Sequence, residues 1–329
     1  MTMFPNRKET GELPRLLFGR HQGYDLREQW LSKGLLALAH VANTPAQAHL
    51  FAFPEAGDRF GMGPGMVLAM RYWLRATGLM IERSSNPHGR KVPTLTPLGA
   101  LLAQHDPYLE RVGSLWLLHA HLARSLLLAP TFSWFFQCFV RSTLFTKDEC
   151  LEALHTWAIK DAPQQSVHRD VLRRDLECLL RLYAVGPQSP TVTPEQAALI
   201  SPFRRLQVLR CLPTPAGVEG AERSIRRVQP RYLFYPPQSE QIPALVTLAL
   251  VLQANEHVNT ISLTHLLYRQ QQPGRTCGLK QETLIAAFQW LSSNIPSWSP
   301  RSVTIAGQPC LKLPAVSVEQ VLLHYYTKP

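Results

Sequence analysis

Gly63-Pro64-Gly65-Met66-Val67-Leu68-Ala69-Met70-Arg71-Tyr72-Trp73-Leu74-Arg75, closed by Gly78 and followed by Leu79-Met80-Ile81-Glu82, is the stretch on which the reading of this chain turns. Pro64 suits a first helical position, where its missing N–H costs nothing, and Met66, Met70, Trp73 and Leu74 then fall on one face. That helix must end near Gly78. Leu79 to Glu82 reads as a strand, Arg83 to Lys91 as a polar turn and Val92 to Leu95 as the returning strand. Upstream, Arg27 to Val41 carries Trp30, Leu31, Gly34, Leu35, Leu38 and Val41 on an amphipathic stripe. Helix, loop, helix, hairpin is the order of a winged helix-turn-helix, whose second helix enters the major groove while the wing follows the backbone. Arg71 and Arg75, one turn apart, and Arg83, His88, Arg90 and Lys91 of the wing are the DNA-facing candidates. Winged helices also serve as protein–protein modules, and that reading stands beside the first.

Working outward, the 329 residues carry 34 Lys+Arg against 23 Asp+Glu, a net charge of +11, on a background that is 45% apolar and only 17% charged. Such a chain is too hydrophobic for disorder, long enough for two or three domains, and basic enough to suggest a polyanionic partner. No apolar run approaches the roughly 20 residues that span a bilayer, and the first ten residues hold no apolar signal core, so a cytoplasmic protein is expected. The middle reads as mostly helical. Thr146 to Glu149 is a capping-box start, Thr193-Pro194 a second cap, and Leu172, Leu176, Leu179, Leu180 and Tyr183 repeat at helical spacing. Its arginines suit a salt-bridged, solvated face as well as a DNA-facing one. A Pro-rich connector leads to a third region that repeats the order of the first: helices over Leu263–Tyr268 and Gln281–Ser292, a basic loop over Arg269–Gly278, and a hairpin about Gly307. Arg269, Arg275 and Lys280 form its weaker basic patch. The expected architecture is mainly α within an α+β class: a winged helix-turn-helix domain over 1–99, a helical middle domain over 100–212, a connector over 213–237 and a winged-helix-like domain over 238–329.

Catalytic signatures are few. The six cysteines are scattered without a C-x-x-C pair, which fits reduced, mostly buried thiols. His119 and His121, two apart on a helix, point to different sides and cannot share a metal. Asp106 and Glu110, at i and i+4, are the weak catalytic candidates: they could hold a divalent ion, or simply favour a helix dipole. No phosphate-binding loop, nucleophile elbow or zinc-protease run is present. The residues by themselves argue binding, with no metal or cofactor identified.

An ordered set of motifs runs through the chain. It begins with Phe18-Gly19-Arg20-His21, Arg27, Trp30 and Lys33, and continues through Arg71-Tyr72-Trp73-Leu74, Leu95 to Gly99, Asp106 to Glu110 and Leu115 to His119. It resumes at Arg169-Asp170 and at Pro273-Gly274-Arg275. This set resembles the SspB-like, DNA phosphorothioation-associated family, catalogued as a domain of unknown function. The resemblance implies a bacterial anti-phage defence role on double-stranded DNA, beside cysteine desulfurases and ATP-dependent sulfur-transfer proteins, with strand nicking and a divalent metal if the protein is an enzyme. A non-enzymatic DNA-binding adaptor that positions a sulfur-transfer or nuclease partner is the alternative. Pro64-Gly65 stands where the family pattern has Lys-Asn, which removes a cation from a helix N-terminus suited to phosphate.

Overall fold

The computed structural model describes residues 15–84, 91–140, 144–162, 165–186, 200–212, 229–305 and 307–328. Helix α1 (Glu28–His40) buries Trp30, Leu31, Leu35 and Leu38. A 3-10 turn (Pro45–His49) and the short helix α2 (Glu55–Phe60) lead to α3 (Pro64–Ala76), which opens on Pro64 as its spacing predicts. At Gly34 a Cβ would stand 2.5 Å from Cδ1 of Leu74, so a larger residue would displace that buried side chain and push α1 off α3. The chain reverses at Gly78, whose φ is +75°, into β1 (Met80–Arg83). Strand β1 pairs antiparallel with β2 (Val92–Leu95), with Met80 opposite Leu95 and Arg83 opposite Val92. Thr96 caps α4 (Pro97–His105), accepting from the Gly99 N–H at 2.9 Å and donating to the Gly78 carbonyl at 2.6 Å. The expected His88 and Arg90 of the hairpin tip lie outside the described residues.

The centre of the molecule is α5 (Val112–Arg124), buried without a break from Gly113 to Ala120. Helix α6 (Pro130–Trp134) packs on it and runs into one π-helical turn, Phe135–Phe139. Strand β3 (Leu144–Thr146) precedes α7 (Lys147–Asp161), whose capping box between Thr146 and Glu149 is formed in both directions. Helix α8 (Arg169–Tyr183) buries the full Leu172, Leu176, Leu179, Leu180, Tyr183 stripe. Three of its four arginines are in ion pairs, Arg173 with Asp170 at 2.7 Å, Arg181 with Asp25 at 2.6 Å and Arg169 with Glu152, while Nε of Arg174 donates to the Asp170 carbonyl at 3.3 Å. The salt-bridged face is therefore the arrangement the chain adopts here.

The middle is not all helix. Strands β4 (Ala184–Val185), β5 (Leu209–Leu212) and β6 (Arg231–Phe234) join β3 in a four-stranded sheet of order β3-β6-β5-β4. Strand β6 falls inside the stretch read from sequence as a Pro-rich connector. Its reading failed because each strand is very short and its partners lie far off in sequence, so no local alternation announces the sheet. The Thr193-Pro194 cap lies outside the described residues.

The C-terminal third comprises α9 (Ala244–Ala254), β7 (Thr260–Ser262), α10 (Leu263–Tyr268), α11 (Pro273–Cys277), α12 (Gln281–Asn294), the hairpin β8 (Arg301–Ile305) and β9 (Gln308–Lys312), and α13 (Val318–Thr327). Strand β7 adds to the hairpin, giving the order β7-β9-β8. The stretch expected as a basic loop, Arg269–Gly278, instead holds α11, started by Pro273 and ended by Gly278 at φ +70°. The fold is mixed, helix with three small sheets among the described residues, an α+β arrangement. One cluster of buried apolar side chains runs from Leu26 to Tyr326, with α5 between the two ends of the chain. Among the described residues no helix is long and apolar enough to cross a membrane.

Candidate nucleic-acid interface

Helix α3 turns most of its surface inward, burying Val67, Met70, Tyr72, Trp73 and Leu74. What remains outside is a single stripe at i, i+3 and i+7: Leu68, 49% exposed, then Arg71 and Arg75, each about one-third exposed along the side chain. Both arginines lean on the hairpin. Nε of Arg71 donates to Oε1 of Glu82 at 2.6 Å, and Nη1 of Arg75 stands 3.7 Å from Oε2 of the same residue. Glu82 alternates with Ile81 and Arg83 along β1, and its carboxylate is largely covered. Arg83 and Lys91, at the two open ends of the described hairpin, are exposed. Glu82 thus offsets one of four cations on this face. Because the Glu82 carboxylate is largely covered, Arg71 and Arg75 keep it as a partner and offer a phosphate only their remaining N–H groups. The sequence reading found the cations and missed the acid, although strand alternation puts Glu82 and the returning Pro93 face to face in register.

The acids at 106 and 110 separate. Asp106 is buried, and its carboxylate accepts from the Glu110 N–H at 2.8 Å, the Arg111 N–H at 3.2 Å and the Ser114 hydroxyl at 2.5 Å, while Glu110 is exposed. Ser114 in turn meets the Tyr326 hydroxyl at 2.6 Å, which ties the start of α5 to α13. The arrangement organises a helix start. Asp106→Ala is expected to cost about 2–4 kcal/mol in urea unfolding, because the Ser114 hydroxyl and two backbone N–H groups lose a charged acceptor. Glu110→Ala should change stability by less than about 0.5 kcal/mol. Equal effects of the two changes would contradict this division of labour.

Arg269 and Arg275 line a cavity with Lys160 and Trp157 of α7 and with Tyr268. His119 and His121 diverge as the spacing requires: His119 bonds the Tyr183 hydroxyl at 2.8 Å and the Thr276 carbonyl at 3.0 Å, whereas Nε2 of His121 meets Gln253 at 3.2 Å.

A family model described as "Protein of unknown function (DUF4007)" matches residues 18–326. The chain belongs to the DUF4007 family. Its fold is similar to two solved structures, described as "Magnesium ion-bound SspB crystal structure" and "SspB crystal structure", with TM-scores of 0.73 and 0.72. Each is 24% identical to this chain, and each match covers 94% of this chain and 87% of that one. No curated protein matches it.

The opening motif of this DUF4007 chain is a clasp. The Gly19 N–H donates to both carboxylate oxygens of Asp175 at 3.0 and 3.2 Å, with Gly19 at φ +69°. Nε2 of His21 meets Oδ1 of Asp175 at 2.9 Å, and the Thr131 hydroxyl donates to Oδ2 at 3.1 Å. Because Nδ1 of His21 accepts from the Gly23 N–H at 3.2 Å, the ring proton is on Nε2 and points at Asp175. His21 also stacks 6.2 Å from Trp73, whose indole N–H donates to the Tyr24 carbonyl at 3.2 Å, so the clasp reaches α3. Burial, with the negative charge of Asp175 second, pushes the Tyr72 phenol well above its ordinary range. Other motif residues support this frame. Phe18 packs edge-on to Trp157, Arg27 lies 5.4 Å over the Trp30 ring, and Lys33 donates to the Phe60 carbonyl at 3.3 Å. Arg169 and Asp170 stay on the surface in their ion pairs. Asp175, the residue that gathers the motif, was not singled out from sequence, although an acid within the apolar stripe of α8 is the kind of buried charge that demands partners.

Proposed function

We propose that this protein is the duplex-DNA-binding component of a phosphorothioation-type defence system in the bacterial cytoplasm. In this reading α3 and the β1–β2 hairpin are its DNA face, and a cysteine desulfurase and ATP-dependent sulfur-transfer proteins are its partners. The observation that carries it is the outward stripe of α3, Arg71 and Arg75, continued by Arg83 and Lys91 on the hairpin with only Glu82 between them among the described residues. A helix followed by a two-stranded wing, basic along one side, is the arrangement that reads a major groove and holds phosphates. The domain division into 1–99, 100–212 and 238–329 goes with this reading, the first carrying the DNA face.

The test uses the two exposed hairpin cations. Arg83→Ala with Lys91→Ala is expected to reduce the slope of log affinity against log salt by about 2, one for each phosphate that is no longer neutralised. Glu82→Gln should act in the opposite sense, raising duplex affinity about two- to five-fold at low salt by releasing Arg71 and Arg75. Unchanged affinity and slope in both variants would remove DNA from this face.

Two further readings have specific support. The outer positions of α12, Gln281, Glu282, Ile285 and Gln289, carry neither Lys nor Arg, which favours a protein partner at the C-terminal end and an adaptor role. The magnesium ion in a structure of similar fold brings in metal-dependent nicking as the other reading, tested by conversion of supercoiled plasmid to open circles, although among the described residues no three His, Cys, Asp or Glu side chains stand together to hold an ion.

A further inference from the structure

A cavity of about 560 Å3 opens where the π-helical turn Phe135–Phe139 meets α7 and the loop between α10 and α11. That volume lies in the range of small-molecule sites, and π-helical turns recur at functional positions. Two aromatic side chains line it. Trp157 is held by Trp134 at 6.2 Å and Phe18 at 6.5 Å, while Tyr268 is 66% exposed. Lys160, Arg269 and Arg275 supply three positive charges against the single carboxylate of Asp161. Arg275 is set in place: its Nε donates to the Tyr268 carbonyl at 3.0 Å and its Nη1 to the Gln137 carbonyl at 3.4 Å. Gln137, itself buried on the π-turn, accepts from the Gln271 N–H at 2.9 Å and donates to the Ala123 carbonyl at 3.2 Å, which fixes the loop that carries the cations.

Exposed and half-buried aromatic faces beside a surplus of positive charge select a ligand that is planar at one end and anionic at the other. We propose that this cavity binds a nucleoside phosphate, the base against Tyr268 and Trp157 and the phosphate toward Lys160 and Arg269. That the nucleotide belongs to a single strand of nucleic acid rests on the DNA-binding reading above; the cavity lies on other elements than α3 and the hairpin.

The experiment measures binding of the full chain to a labelled single-stranded octamer of deoxyadenylate, to an abasic octamer with the same phosphates, and to free deoxyadenosine monophosphate as competitor. Tyr268→Ala is expected to weaken the octamer about ten-fold and leave the abasic octamer unchanged, the size of one lost base stack. Lys160→Ala with Arg269→Ala should weaken both. Free mononucleotide that competes as well as the octamer would keep the nucleotide site and overturn the strand as its source. Identical octamer affinity in the protein and in Tyr268→Ala would overturn the site. Arg83→Ala with Lys91→Ala serves as the control: it tests the duplex face and should leave competition by the mononucleotide unchanged.

Discussion

Asp175→Ala is expected to lower the free energy of unfolding by about 2–4 kcal/mol, because a buried carboxylate is lost and the donors it served are left without an acceptor. The side chain is 5% exposed and answers three donors at once: the Gly19 N–H, the Nε2–H of His21 and the Thr131 hydroxyl. Removing it leaves those donors in a site closed to water, beside the ring of Trp73. Because Gly19 and His21 hold the start of the chain against α8, the same substitution should speed proteolysis between residues 17 and 27. Asp175→Asn keeps an oxygen for Gly19 and His21 and loses only the charge and one acceptor, so about 1–2 kcal/mol is expected. A loss below about 1 kcal/mol for the alanine variant would show that the clasp is incidental to stability.

Falling pH should weaken the fold through His119. The ring is fully buried among Trp116, Phe136, Tyr183 and Phe203. The Thr276 carbonyl can only accept, so Nε2 carries the proton and Nδ1 accepts from the Tyr183 hydroxyl. Both nitrogens are satisfied in the neutral form. Burial first, opposed by the bond to Thr276 and reinforced by the charge of Arg124, brings its pKa from 6.5 down to about 4. Between those values the unfolded chain binds a proton that the folded chain refuses. Stability is therefore complete above pH 6.5, falls as the pH drops through it, and levels off below about pH 4, a loss of about 3 kcal/mol for this residue. His121, brought down to about 4 chiefly by burial, adds a loss of the same sign. Urea unfolding at a series of pH values checks this: His119→Gln should show a slope shallower by about 1.4 kcal/mol per pH unit between pH 6 and 4.5. Equal slopes in the two proteins would refute the assignment.

Much of the framework is legible in the amino-acid sequence. Pro64 at the first position of α3, the Thr146 capping box, the span Leu263–Tyr268 and the hairpin about Gly307 each depend on residues within a few positions of one another. Periodicity and capping report such elements directly, because the physics behind them is local. The family motifs are legible for the same reason, as short runs in a fixed order, and the family match begins at Phe18, where the first of them stands.

Other features required the tertiary structure. Strands β3 and β6 meet across Thr146 and Arg231, and β4 meets β5 across Ala184 and Leu209, pairings that two- to four-residue strands cannot advertise in their own composition. Asp170 and Asp175 look alike on the sequence of α8; only packing places the first among surface arginines and the second under His21, 154 positions away. Arg269 and Arg275 read as a patch of the C-terminal region until the fold turns them toward Lys160 and Trp157. Element type is settled by neighbours in sequence, but the partner of a charge is settled by which surfaces the buried apolar faces bring together, and that choice is made by the whole core.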